Sequence, residues 1–201
     1  MAHSIKIPAA LGLCTLVLAG CESGTPIVDD TAERNAYNAA AEAYNDMRAD
    51  LQALPLSGAD MPTVGSATYD GHATVLIDTP TDSALVGDAR IVADFSDGDL
   101  WGNMSNFVGT VDGSPYSDFA GSIALGNGQI GVSTASSLSA DMQGTLNNGS
   151  DIVTIDGGVI GNFRSDGAIN AAGLTASDTA GTDYIVNGVI HDGDTGIVAE
   201  R

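Results

Sequence analysis

Hydrophobic and polar residues alternate in short runs along the last two thirds of the chain, which is the pattern of half-buried β-strands. The clearest case begins with the alternating residues 91–95, passes through Ser-Asp-Gly-Asp, and resumes at residues 100–104. Asp-Gly between two such runs is a strong hairpin signal, because glycine accepts the positive φ that the turn requires. The pattern predicts a β-hairpin with strands near residues 86–96 and 99–108.

Further short runs, separated by glycine, asparagine and aspartate, lie on both sides of this hairpin. Gly-Asn-Gly at residues 126–128 is interpreted as the loop of a second hairpin, and Asn-Asn-Gly at residues 147–149 as the loop of a third. The remaining strands are predicted at residues 65–78, 119–125, 129–134, 138–146, 152–163 and 184–190.

About eight strands joined by short loops favour a mainly β fold, an eight-stranded antiparallel up-and-down β-barrel that is filled by its own side chains. Closure of the barrel also removes the exposed strand edges that promote aggregation. A β-sandwich is the alternative. The barrel domain is assigned to residues 60–201.

One amphipathic α-helix is predicted before the barrel, at residues 30–55, which are rich in alanine and contain no proline before Pro55. Asp30 and Glu33 have the spacing of a capping box. Apolar residues recur at steps of three and four, which is typical of one helix face. They are Tyr37, Ala40, Ala41, Tyr44, Met47, Leu51 and Leu54. We expect this stripe to pack on the barrel; a spacer or a partner-binding helix is the alternative.

The start of the chain has the pattern of a secretory signal peptide, with Lys6 before an apolar run at residues 7–19. It ends in Leu-Ala-Gly-Cys, which resembles the lipobox of bacterial lipoproteins. The resemblance implies cleavage after residue 20, diacylation of the Cys21 thiol and acylation of the new amino group. An ordinary cysteine within a cleaved signal is the alternative. Residues 1–20 are thus the expected signal peptide, and residues 21–29 a lipid-anchored tether.

Composition restricts the partners and the chemistry. The net charge is −20 with only 6 basic residues, which excludes a nucleic-acid partner because phosphate binding requires lysine and arginine. The two cysteines, Cys14 and Cys21, both precede the predicted fold, so we expect no disulfide within it. No P-loop, dinucleotide-binding fingerprint or Gly-x-Ser-x-Gly sequence occurs. We expect no catalytic residue, no metal site and no cofactor.

Four features are candidate sites. His72 lies in a predicted strand and is interpreted as a structural or surface histidine. The segment 191–196 contains clustered oxygens that suit Ca²⁺, yet it lacks the third acid and distal Glu of an EF-hand loop, so a plain turn is favoured. Asp94 is placed on a strand, and Asp97 and Asp99 are interpreted as turn formers rather than as part of a paired-carboxylate catalyst. Trp101 is expected to pack against the helix stripe rather than to bind a ligand.

Several short glycine-containing pieces of the chain resemble the β-barrel domain of transferrin-binding protein B-like bacterial lipoproteins, a barrel of the factor H-binding protein type. They are residues 67–71, 89–95 with Gly102, 119–123, 158–163, Gly167 with Ala168, and 171–173. The resemblance implies an eight-stranded barrel on a lipid anchor, often displayed at the outer surface. The chain has room for one barrel and no second lobe, so no binding residue is carried over.

The sequence therefore predicts an outer-membrane or cell-surface lipoprotein of a Gram-negative bacterium. Glu22 after the modified cysteine favours the outer membrane, because aspartate at that position is the inner-membrane retention signal of many such proteins. The expected function is a non-catalytic binding module, anchored to the membrane through Cys21, for a protein or small molecule that the sequence does not name. A structural envelope lipoprotein without a soluble ligand is the alternative.

Overall fold

A computed structural model of the protein describes residues 29–58, 61–165 and 173–201. Within these residues one helix precedes ten strands. The elements are α1 (Thr31–Ala53), β1 (Ser66–Ile77), β2 (Ser83–Asp94), β3 (Asp99–Thr110), β4 (Ser117–Ile130), β5 (Ser137–Asn147), β6 (Ile152–Arg164), β7 (Gly173–Asp178), β8 (Asp183–Val186), β9 (Val189–His191) and β10 (Gly193–Glu200).

The strands form a closed antiparallel barrel with eight positions around its wall. Neighbours pair in the order β1, β2, β3, β4, β5, β6, β7 and β10, and β10 returns to β1. The short strands β8 and β9 continue the wall beyond β7 and β10, because β8 pairs with the first half of β6 and β7 with the second half. The predicted fold class, an eight-stranded up-and-down barrel preceded by one helix, is confirmed.

The last predicted strand, residues 184–190, is wrong in its detail. The chain turns at Asn187 and Gly188, whose φ angles are 51° and 86°, and the segment is the hairpin β8–β9. Positive φ at both central residues is the requirement of a type I′ turn, for which Asn-Gly is the preferred sequence. The alternation pattern did not predict the two strands on either side of this hairpin, β7 and β10.

The predicted hairpin loop at residues 126–128 is a bulge inside one long strand, β4. Asn127 has a φ of 49°, and the pairing of β4 with β5 shifts between Gly126 and Gln129. A β-bulge inserts an extra residue without reversing the chain. The strands predicted at residues 119–125 and 129–134 are therefore one strand. The predicted total of about eight strands was still close, because this strand was counted twice while others were missed.

Alternate side chains of the strands fill the barrel interior. The largest fully buried ones include Tyr69, Phe107, Phe163 and Tyr184. The ring of Phe163 lies 5.6 Å from that of Tyr69 and 5.8 Å from that of Phe95, within the usual range for interacting aromatic pairs. The described part of the interior is a packed core.

Helix α1 lies on the outer wall of this barrel. Val198 alternates with Ile197 and Ala199, which belong to the interior, and it packs instead with Tyr44 and Leu51 of the helix. Because successive side chains of a strand point to opposite faces, Val198 faces outward. The expected packing of the helix stripe on the barrel is confirmed.

The first turn of α1 is anchored differently from the predicted capping box. The Asp30 side chain makes no capping hydrogen bond. Its carboxylate accepts a hydrogen bond from the backbone N–H of Tyr116 at 3.0 Å and pairs with Arg34 at 3.1 Å. The Tyr37 ring lies 5.1 Å from the Tyr116 ring. The first turn of the helix is therefore attached to the turn between β3 and β4.

The end of α1 is joined to β6. Arg164 donates a hydrogen bond to the Leu54 carbonyl at 3.1 Å, and the Ser57 N–H donates to the Phe163 carbonyl at 3.0 Å.

We call the barrel end with the turns 78–82, 111–116, 148–151 and 187–188 the helix-start end. The opposite end carries the turns 95–98 and 131–136 and the segment 55–58.

Candidate functional site: a groove beside the helix

A groove with a volume of about 880 Å³ runs along one side of α1. We call it the α1 groove. One wall is the helix, and the floor is formed by β1, β10, β7, β6 and the start of β5, with Val132 and Ser133 of the turn before it. Its lining includes Arg48, Gln52, Leu76, Ile160, Thr175 and Val198. Concave surfaces of this size that combine apolar and polar groups are the usual form of ligand-binding sites.

Two aliphatic side chains of the groove are exposed on strands whose inward residues form the core. Leu76 lies between Val75 and Ile77, and 48 % of it is exposed. Ile160 follows the buried Val159 and is 53 % exposed. Exposed aliphatic residues that line one concave surface indicate a contact site rather than ordinary surface scatter.

Arg48 supplies a positive charge on the helix wall of the groove. Arg34 pairs with Asp30, Arg90 pairs with Asp70, and Arg164 binds the Leu54 carbonyl. Arg48, in contrast, makes no hydrogen bond or ion pair with any residue that the structure describes. In a chain of net charge −20, this guanidinium is available to a ligand.

Asp178, one of the two acidic residues that line the groove with Asp194, is engaged within the barrel. Asp178 accepts a hydrogen bond from the Thr195 N–H at 3.1 Å, and the Tyr184 hydroxyl donates to the Thr195 side-chain oxygen at 3.0 Å. Burial raises the pKa of the Tyr184 hydroxyl above its ordinary value. This chain of bonds holds β7, β8 and β10 together, so we assign Asp178 a structural role.

The segment 191–196, interpreted from the sequence as a turn with a Ca²⁺ site as the alternative, is mostly strand, because only Asp192 separates β9 from β10. The plain turn is therefore wrong. Asp178, Asp192 and Asp194 line a hollow of about 350 Å³ beside residues 179–182. No group of three or more acidic, histidine or cysteine side chains within the described ranges is arranged to hold a metal ion.

His72 lies on the outer face of β1, beside Asp88 of β2. Its Nδ1 is 4.0 Å from an Asp88 carboxylate oxygen and is buried without a hydrogen-bond partner. The second Asp88 oxygen accepts a hydrogen bond from Asn106 at 2.8 Å. This histidine does not line the α1 groove.

Local interactions in the turn form the hairpin between β2 and β3. Gly98 has a φ of 79°, and the Asp94 carboxylate accepts a hydrogen bond from the Ser96 N–H at 2.9 Å. Trp101 is 46 % exposed near the start of β3, whereas at that end of the barrel α1 lies beside Arg164 of β6, and Trp101 is not among the residues that pack with Tyr44 and Leu51. The structure therefore does not place Trp101 against the helix stripe, and that prediction is wrong.

Cys21, the predicted lipidation site, lies outside the described residues, as do Gly167 and the other positions of the resemblance between residues 166 and 172. Within the described part of the chain, no helix is long and apolar enough to cross a membrane.

Comparisons with protein-family models, with curated proteins and with solved structures found no match to this chain. The barrel has the strand number that the resemblance to transferrin-binding protein B-like lipoproteins implies, but eight strands do not identify a family. That resemblance stays a prediction.

Sequence reasoning missed the α1 groove, although two signals of it are present. Apolar residues occupy consecutive positions at 75–77 and at 159–160, which breaks the alternation expected of a strand with one solvated face. Arg48 stands on the predicted helix between Asp46 and Asp50. Only the assembled barrel shows that these features adjoin.

Proposed function

We propose that the protein is a lipid-anchored outer-membrane protein of a Gram-negative bacterium, and that it acts as a non-catalytic binding module through the α1 groove. The observation that carries the binding role is the unpaired guanidinium of Arg48 in one groove with the exposed side chains of Leu76 and Ile160. Without a ligand, the exposure of these aliphatic groups is unfavourable, at roughly 25 cal/mol per Å² of apolar surface.

The anchor in this proposal is Cys21. Its sulfur displaces the phosphate-bearing headgroup of a phospholipid, so that a thioether bond to the diacylglyceryl carbon forms and the carbon–oxygen bond to the headgroup phosphate breaks. The thiol proton leaves with the displaced phosphate. Acylation of the amino group of Cys21 after cleavage adds a further chain, and two or more chains make anchoring stable where one is marginal.

The chemistry of the groove favours an amphipathic anion. A carboxylate, sulfonate or phosphate would pair with Arg48, since a guanidinium donates two parallel hydrogen bonds to such groups. An apolar body would cover Leu76 and Ile160. The ligand class is therefore a small molecule or peptide segment that carries both parts.

A fluorescent probe of this class, anilinonaphthalene sulfonate, tests the groove directly. We expect saturable binding to the mature domain at one site. Arg48→Ala should weaken it about tenfold, the loss expected for one charge-assisted hydrogen bond, and Ile160→Ser should weaken it as well.

Two matched variants serve as controls. Arg90→Ala removes an arginine that pairs with Asp70 and does not line the groove. Ile152→Ser makes the same change as Ile160→Ser on the same strand, at a residue that is 47 % exposed outside the groove. Both should bind the probe like the unmodified domain. Equal weakening by all four variants, or no saturable binding, would contradict the binding proposal and favour the structural envelope role.

Protease treatment of intact cells separates surface display from a periplasmic orientation. Cleavage of the barrel on intact cells supports display at the cell surface. Full protection on intact cells, with cleavage after the outer membrane is opened, would contradict it.

A further inference from the structure

Three large aliphatic residues are exposed at the helix-start end of the barrel, Val189 and Ile190 on opposite faces of the β8–β9 hairpin and Ile152 on the adjacent β6. Ile152 is 47 % exposed, Val189 58 % and Ile190 66 %. We call them the end patch. They belong to neighbouring elements, because β6 pairs with β8 and β8 pairs with β9. The Ile152 N–H also donates a hydrogen bond at 2.9 Å to the side chain of Asn187, in the turn before Val189.

The end patch and the first turn of α1 lie on the same end of the barrel, connected by hydrogen bonds between the turns. Asp30 accepts a hydrogen bond from the Tyr116 N–H. In the same turn, the Ser114 hydroxyl donates to Asp151 at 3.2 Å. The Asn187 side chain donates to the other Asp151 oxygen at 3.0 Å. The chain therefore enters the described fold on the end that carries the patch.

The distance from the predicted anchor to this end is short. Seven residues, 22–28, separate Cys21 from Asp29, and this length spans at most about 29 Å when fully extended. Strands of 12 residues, tilted as in other small barrels, give a barrel about 30 Å tall. The helix-start end thus reaches the membrane without extension of the tether, whereas the opposite end would require all of it.

We propose that the end patch rests on the lipid surface to which Cys21 anchors the chain. The barrel then stands with its helix-start end against the membrane and with the opposite end directed away from it. This inference depends on the proposed lipidation of Cys21. A second copy of the chain is a poor occupant of the patch, because each copy has a net charge of −20 and like charges repel.

The chemistry of this end predicts which lipids it contacts. The charged residues at this end are mostly acidic, among them Asp78, Asp151 and Asp192, and the arginine at this end, Arg34, is paired with Asp30. The contact therefore arises from burial of aliphatic side chains and not from attraction to anionic headgroups. Zwitterionic phosphatidylcholine should support it, and added salt should not release it.

An environment-sensitive fluorophore placed at Ile190 tests the proposal in the full lipidated protein. Ile190→Cys introduces the only free thiol, because lipidation consumes the thiol of Cys21 and Cys14 is removed with the signal peptide. Nitrobenzoxadiazole on this thiol should show a severalfold rise in emission and a blue shift in phosphatidylcholine vesicles. The matched control is Val64→Cys, at a residue 75 % exposed on the opposite end and outside the α1 groove, where the label should stay water-exposed.

The other outcomes overturn the inference in distinguishable ways. A label at residue 190 that stays water-exposed in vesicles, or an equal response at residue 64, contradicts the contact while the anchor stands. An apolar environment at residue 190 before vesicles are added indicates a protein–protein contact instead. The intact mass is measured first: an unmodified Cys21 removes the anchor, and with it both this inference and the membrane-anchored part of the proposed function.

Discussion

The carboxylate of Asp30 accepts a hydrogen bond from the backbone N–H of Tyr116 at 3.0 Å, and so fixes the first turn of α1 to a barrel turn 86 residues further along the chain. The same carboxylate pairs with Arg34, whose guanidinium lies 5.0 Å from the centre of the Tyr116 ring. The helix is thus positioned by tertiary contacts rather than by a local cap. Its position forms one wall of the α1 groove.

Asp30→Ala should loosen this attachment and lower the melting temperature at neutral pH. The hydrogen bond from Tyr116, followed by the contact with Arg34, holds the pKa of Asp30 below its ordinary value. The depressed pKa means that the carboxylate stabilises the fold above the ordinary aspartate pKa of about 3.9, and that this contribution is lost as the pH falls below that value.

Thermal melts across the acid range compare the unmodified protein with Asp30→Ala, and Asp46→Ala is the control. Asp46 is an exposed residue of the same helix. The difference in melting temperature between the unmodified protein and Asp30→Ala should become smaller as the pH falls. A difference that is constant with pH, or an equal effect of Asp46→Ala, would count against a role for the Asp30 carboxylate.

Gly196→Ala should separate the helix from the barrel wall, because an added Cβ would collide with the hydroxyl of Tyr44. We expect a destabilisation of about 1–3 kcal/mol, as for other overpacked contacts. Tyr44→Phe removes the colliding hydroxyl, so the double variant should be less destabilised than the sum of the single changes. Gly126→Ala, where the added Cβ has nothing within 4 Å, is the control for the loss of glycine. Strict additivity in urea unfolding would show that the collision is absent.

The protein should lose stability in alkali as its buried tyrosines ionise. Burial raises the pKa of Tyr69 to about 12 and also raises that of Tyr184. A raised tyrosine pKa contributes stability that is complete below the unfolded value of about 10, and that is lost as the pH rises through the folded value. Absorbance at alkaline pH should show some of the 5 tyrosines ionising early and the buried ones only with unfolding. Ionisation of all five in one step near the ordinary value would contradict the packed interior.

The sequence was sufficient for the fold class because the two periodicities are clear. The three- and four-residue steps from Tyr37 to Leu54 predicted a helix, and the alternation at residues 91–95 and 100–104 predicted β2 and β3. The turns were harder. Gly126-Asn127-Gly128 and Asn187-Gly188 both contain Asn-Gly, yet the first is a bulge and the second a hairpin turn. The difference lies in the neighbouring strands, because β4 continues through the bulge paired with β3 and β5.

The candidate site depended on long-range structure that no local pattern contains. Leu76, Arg48 and Ile160 are far apart in the sequence, and they line one groove only because β1, β10, β7 and β6 are neighbours in the barrel wall beside α1. The same is true of the end patch, in which Ile152 joins Val189 through the pairing of β6, β8 and β9. The acidic composition, in contrast, is a property of the whole chain, and it restricts the partners whatever the fold.

Lipidation at Cys21 is the central claim, and fractionation of cells that carry Cys21→Ala tests it most directly. The unmodified protein should be found in membranes, with an intact mass that lacks residues 1–20 and includes the attached acyl chains. Cys21→Ala should lack these chains, while the matched variant Cys14→Ala, altered only within the predicted signal peptide, should carry them like the unmodified protein. An unmodified protein without added acyl mass, or Cys21→Ala that still carries it, would contradict the account.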